Sequence, residues 1–213
     1  MRLIKRISGP SDGGFTLVEL LLVIVIVGVI AVPLGNVVIG YFLNTSTTTA
    51  RLSESHDEQI AAAYWQQDVA SVGVRATTYD KTTKTFNLQQ SVNTVFPCAL
   101  PSGSQTVVVL AWNEYDSSGN TTLISVAYAT DSTKTKLIRL HCKVSTPDST
   151  AVLAHDLNAS STPVLTCAGA GGPSCTGSGT NVPTSISVLL SVKDALGKGQ
   201  PYSVTLNGQR RQT

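Results

Sequence analysis

GGFTLVELLLVIVIVGVIAVPLGNVVIGYFL fills residues 13–43 and orders everything that follows it. From Phe15 to Leu43 the only charge is Glu19, and from Leu20 to Leu43 there is none. At about 1.5 Å per residue, 24 uncharged helical positions reach roughly 36 Å, more than the ~30 Å of a bilayer's hydrocarbon core. Lipid offers backbone N–H and C=O groups no partners, so the segment is expected to be a helix despite its many β-branched residues, Val23 to Val27 among them. Pro33 withdraws one backbone donor and crowds the carbonyl four residues earlier, which predicts a kink or local loosening. Arg2, Lys5 and Arg6 on the short flank keep that end cytoplasmic and place the rest of the chain outside.

Two simpler readings of this segment fit less well. A secretory signal peptide has an apolar region of roughly 7–15 residues followed by a small-x-small cleavage site, and this run is far longer. A plain signal anchor fits the length. It does not explain why Gly13-Gly14 precedes the run, or why a carboxylate, costly in lipid, stands within it at Glu19.

Gly14-Phe15-Thr16-Leu17-Val18-Glu19 ahead of an apolar stretch resembles the prepilin peptidase site of type IV pilins and type II secretion pseudopilins. The resemblance implies cleavage after Gly14, N-methylation of the new N-terminal Phe15, and an assembly role for Glu19, the fifth residue of the processed chain. A glycine lets extended backbone approach a protease groove closely. A glutamate paired with a neighbouring subunit's new amino group would compensate two charges that are each expensive alone, and would fix axial register. A helix N-terminal acid favoured by the macrodipole is the plainer reading of Glu19. The partners implied are prepilin peptidase, other pilin or pseudopilin subunits and the membrane, with a separate ATPase driving assembly. Loss of the leader, residues 1–14, would remove Arg2, Lys5, Arg6 and Asp12 and leave a formally neutral chain. Neutrality argues against nucleic-acid binding through phosphate neutralisation.

Residues 44–213 form the expected extracytoplasmic domain. Asn44–Ala50 is a Ser/Thr-rich run that reads as a loosened joint. Ala62, Trp65, Val69 and Val72 then fall on one helical stripe within 50–71, while Arg51, Glu54, Asp57, Glu58, Gln66 and Asp68 take other faces. Strand-like pieces follow at Thr85–Leu88, Thr106–Trp112, Thr122–Ala129, Lys136–Cys142, Ser185–Val192 and Tyr202–Leu206. Turn signals at Asp116–Asn120 and Asp131–Lys134 join the middle three into an antiparallel meander, and Ala168–Val182 reads as a loop. The fold class expected is α+β: a transmembrane helix, 15–43, that continues into a globular domain whose antiparallel sheet packs on it, as in pilins. Ala154-His155-Asp156-Leu157 and the closing Gly208-Gln209-Arg210-Arg211 resemble J-type pseudopilins and W-type minor pilins, which implies a minor subunit.

Cys98, Cys142, Cys167 and Cys175 all follow the apolar segment, as disulfides in an oxidising compartment would. Four cysteines allow three pairings; the Gly-rich stretch between Cys167 and Cys175 suits a loop closure, leaving Cys98 with Cys142. Zinc lacks a CxxC or HxxxH spacing, and Gly169-Ala170-Gly171-Gly172 lacks the ending of a phosphate-binding loop. His56 stands beside Asp57 and Glu58 on a polar helix face, His155-Asp156 reads as a turn, and no GxSxG elbow occurs. The expectation is therefore no enzyme, catalytic residue, cofactor, metal or small-molecule substrate, and Arg210-Arg211 reads as a solvated tail. The competing function is a single-pass anchored binding module of adhesin type.

Overall fold

The structure, a computed structural model, describes residues 14–169, 175–194 and 201–211. The leader charges, Gly13 and Ala170-Gly171-Gly172 lie outside the described residues. Helix α1 runs from Leu17 to Ser71 and stays helical through Gly28, Pro33 and Gly35. Two compact units divide at Thr48–Thr49. In the first, the apolar positions from Phe15 to Leu43 are exposed throughout.

The expected joint at Asn44–Ala50 is helix instead. The hydroxyls of Ser46 and Thr47 donate to the Leu43 carbonyl, and that of Thr48 to Asn44, at 2.9–3.0 Å. Back-bonding of this kind gives hydroxyl side chains a place inside a helix, so a Ser/Thr run does not by itself break one.

In the second unit, α1 buries Ala61, Trp65, Asp68 and Val69, spaced by four, three and one. Short strands β1, Val74–Arg75, and β2, Leu88–Gln89, pair antiparallel. The piece expected at Thr85–Leu88 thus forms a strand only from Leu88, while Thr85 makes a lone bridge to Asp80. A four-stranded antiparallel sheet follows in the order β3 (Gln105–Tyr115), β4 (Thr121–Thr130), β5 (Leu137–Lys143) and β6 (Thr146–Ala154). Its tight turns are built by aspartates. Asp116 Oδ1 accepts the N–H groups of Ser118 and Asn120 at 2.9 and 2.8 Å, while Gly119 takes φ +82°. Asp131 Oδ1 accepts those of Thr135 and Lys136 at 2.8 and 2.9 Å. A second, three-stranded sheet has the order β7 (Val164–Ala168), β8 (Ser185–Val192) and β9 (Tyr202–Gln209).

The meander thus extends to four strands, and a separate sheet covers the late segments. Strands β6 and β7 carry weak sequence signals because both are edges. Pro147, opposite Cys142, is tolerated only where no ladder donor is needed. Strand β7 is short, half exposed and follows Pro163.

One core joins the helix to both sheets: Trp65, Val69 and Val72 pack with Leu110, Ile124, Tyr128 and Leu153, and with Ile186, Leu190 and Leu206. Trp65 sits edge-on to Tyr128 at 4.9 Å, and its indole N–H donates to the Ile186 carbonyl at 3.2 Å. Strand β9 passes so close to α1 that a Cβ on Gly208 would lie 2.5 Å from Val69 Cβ. No side chain fits that crossing.

Asp68 corrects the sequence reading, which placed it on a polar face. It is 1% exposed and bonds the buried Arg139 of β5 through two N–H···O contacts, at 2.7 Å from Nε and 2.8 Å from Nη2. The Tyr128 hydroxyl donates to the same carboxylate at 2.6 Å. Burial alone would lower the Arg139 pKa, but the Asp68 carboxylate outweighs it and holds the guanidinium above its usual range. Burial first, then the Asp68 charge, pushes the Tyr128 phenol up.

Candidate functional site: the N-terminal segment and the domain surface

The first turn of α1 is shaped by Thr16. Its carbonyl accepts the N–H groups of Glu19 and Leu20 at 3.1 and 3.2 Å, and its hydroxyl accepts from Glu19 N–H at 3.3 Å. Thr16 is therefore the N-cap, and Glu19 stands at the third helical position of a Thr-x-x-Glu capping arrangement. The cap was missed in the sequence although its signature is legible there. Gly14 and Phe15 precede the helix in non-helical backbone, with Phe15 79% exposed. A Cβ on Gly14 would meet nothing within 4 Å among the described residues, so none of them requires glycine at that position.

Around the Glu19 carboxylate, Leu17, Val18, Leu20, Leu21, Leu22 and Val23 are all exposed. One acid in an apolar sleeve is suited to meeting a cation in a low-dielectric setting that a lone chain does not supply. The helix is long and apolar enough to cross a membrane, and none of its most apolar window is buried. Capped start, exposed apolar sleeve and single acid define a membrane-anchoring segment with non-helical Gly14 and Phe15 ahead of it.

Residues 10–35 match the family described as the Prokaryotic N-terminal methylation motif. The chain thus carries, at its N-terminus, the signature found in type IV pilins and pseudopilins. No curated protein and no solved structure matches the chain.

The other candidates lie in the second unit. Cys98 is disulfide-bonded to Cys142 and Cys167 to Cys175, with Cα separations of 6.1 and 5.4 Å. The first ties the loop before β3 to strand β5; the second ties β7 to the chain that returns toward β8. Among the described residues no group of three His, Cys, Asp or Glu side chains could hold a metal ion.

His56 is exposed on α1, and His141 of β5 places Nδ1 2.9 Å from Asp148 Oδ2 of β6. His155 donates its backbone N–H to Asp57 Oδ2 at 3.0 Å and places Nδ1 2.9 Å from the same oxygen, fastening the turn after β6 to α1. Asp156 there has φ +58°, a turn conformation. Beside it a groove is lined by Glu54, Asp57, Glu58, Asp156, Tyr202 and Leu190. Burial, then the charges of Glu54, Glu58, Asp57 and Asp156, raises the Tyr202 pKa. Arg210 and Arg211 are not a loose tail: their N–H groups donate to Thr184 and Ala70 carbonyls at 2.9 and 3.1 Å, and Arg210 is half-buried.

Proposed function

We propose that this chain is a structural subunit, of the minor kind, of a type IV pilus or type II secretion pseudopilus. Prepilin peptidase cuts the precursor after Gly14, and the new N-terminal Phe15 is N-methylated. The helix of residues 15–43 first anchors the subunit in the membrane, with residues 44–213 outside the cytoplasm. It is then withdrawn into the filament core, where its sleeve packs against other subunits.

The observation that carries this reading is the placement of Glu19. It stands in the first turn of α1, whose N-terminal stretch to Leu43 is exposed on every side, four residues after Phe15, inside a segment that matches the N-terminal methylation motif. In a filament the carboxylate pairs with the amino group of a neighbour's Phe15. Both charges leave water together, so each compensates the other, and the pair admits one axial register.

Two substitutions test the two halves of the proposal. The Gly14→Ala precursor should accumulate uncut, because a Cβ obstructs the protease groove; normal processing of that variant contradicts the cleavage assignment. Glu19→Ala should be cut and inserted normally but be absent from sheared filaments. Its recovery in filaments at the wild-type level rules out the assembly role.

A further inference from the structure

The Arg210 guanidinium, just beyond the end of β9, is only part-exposed. Its Nε and Nη1 atoms are buried and have no hydrogen-bond partner. Burial and then the neighbouring charge of Arg75 both lower its pKa. A guanidinium has five N–H donors and stays ionised in proteins, so buried donors without acceptors are expensive. Among the described residues no carboxylate is paired with either arginine. Asp80, on the same ribbon, has its oxygens occupied by the N–H groups of Thr82 and Thr83 and by the Asn87 amide.

The two arginines open on one cleft. Thr83, Thr85, Asn87 and Thr180 line it with them. Arg75 is steadied by a 3.4 Å bond from Nη1 to the Phe86 carbonyl, and its backbone N–H donates to Asn113 at 3.2 Å. Two cations and no lining acid make a concave anion receptor, while the Thr83 and Thr85 hydroxyls are already bonded to Asn87 Oδ1 and to each other. We infer that this cleft, between the β1–β2 ribbon and the end of β9, binds a carboxylate group. Two planar guanidinium forks match a planar carboxylate by paired N–H···O bonds, which a tetrahedral anion meets less well. The carboxylate can belong to a small organic acid or to an acidic side chain of a second copy of this chain.

The test uses the full chain in uncharged detergent micelles, with arginine 15N-labelled, titrated with acetate at ionic strength held constant by chloride. The Arg210 and Arg75 Nε–H resonances should shift saturably while that of Arg211 stays still. Arg210→Gln should weaken the acetate response of Arg75 about ten-fold or more, the worth of one charge-assisted bond, and Arg75→Gln should do the same to Arg210. Near-UV dichroism of both variants checks folding; the Arg210 side chain makes no described hydrogen bond whose loss would unfold the protein. A shift that grows with protein concentration and is reversed by acetate assigns the carboxylate to another copy. A shift that appears only with acetate assigns it to a small acid. No saturable shift in either series overturns the inference, as do an unchanged response in the variants and tighter binding of sulfate than of acetate.

Discussion

Removing Asp68 is expected to be among the most damaging single changes in the globular unit. Its carboxylate takes both N–H bonds of Arg139 and the hydroxyl of Tyr128, and the pair's side chains are only 2% and 10% exposed. Asp68→Ala leaves a buried guanidinium uncompensated, a change worth about 3–5 kcal/mol when one partner of a buried pair is deleted. The orphaned Tyr128 hydroxyl adds to the loss, though not additively, because the three groups form one network. Against a typical stability of about 5–15 kcal/mol, this is roughly a fifth of the total or more. The assay is denaturant unfolding of the full chain in detergent, followed by the near-UV dichroism of Trp65 and Tyr128, which touch at the centre of the core. The double substitution Asp68→Leu with Arg139→Met should recover most of the loss, since apolar replacement of a whole buried pair is often neutral or better. An Asp68→Ala loss below about 1 kcal/mol refutes the reasoning, as does a double variant no more stable than Asp68→Ala alone; the ~1 kcal/mol scale is that of an exposed pair.

Other changes follow from the same geometry. Opening Cys98–Cys142, 44 residues apart, should cost about 4 kcal/mol in chain entropy, and opening Cys167–Cys175, 8 apart, nearer 2.6 kcal/mol, measured as Cys→Ser pairs in thermal melts. Gly208→Ala should destabilise by about 1–3 kcal/mol, because its Cβ would overlap Val69; an unchanged melting temperature contradicts the close crossing. The turn carboxylates Asp116 and Asp131 have pKa values lowered in the fold, Asp116 by the Asn120 amide first, and Asp131 by Thr133, Lys136 and Thr135 bonds that outweigh burial. A depressed carboxylate stabilises above its unfolded value near 3.9 and loses that contribution as pH falls through the folded value. Stability should therefore drop below about pH 4, and less so in the Asp116→Asn variant.

Much of this fold is legible in the sequence where periodicity is strong. The Trp65–Val69–Val72 stripe, strands β3, β4, β5 and β8, and the two aspartate turns follow from alternation and turn chemistry. Less legible is whatever depends on a partner distant in sequence. Asp68 looks like any surface acid until Arg139, 71 residues away, is brought against it. Strand β6 begins Thr146-Pro147-Asp148, which has strand character only at a sheet edge. The Ser/Thr run at 44–50 is read as a joint if side chains face water, and as helix once their hydroxyls bond backward. At the N-terminus the methylation motif at residues 10–35 was readable because a short linear motif needs no tertiary partner, whereas Arg210 looked like a tail residue because its burial is made by other strands.

The central claim concerns the N-terminus of the mature chain. Intact and peptide mass spectrometry of the protein from membranes and from sheared filaments measures it directly. The account predicts a chain that begins at N-methylated Phe15 with the leader absent. A mature protein that retains Met1–Gly14, or that begins beyond the apolar helix, contradicts it.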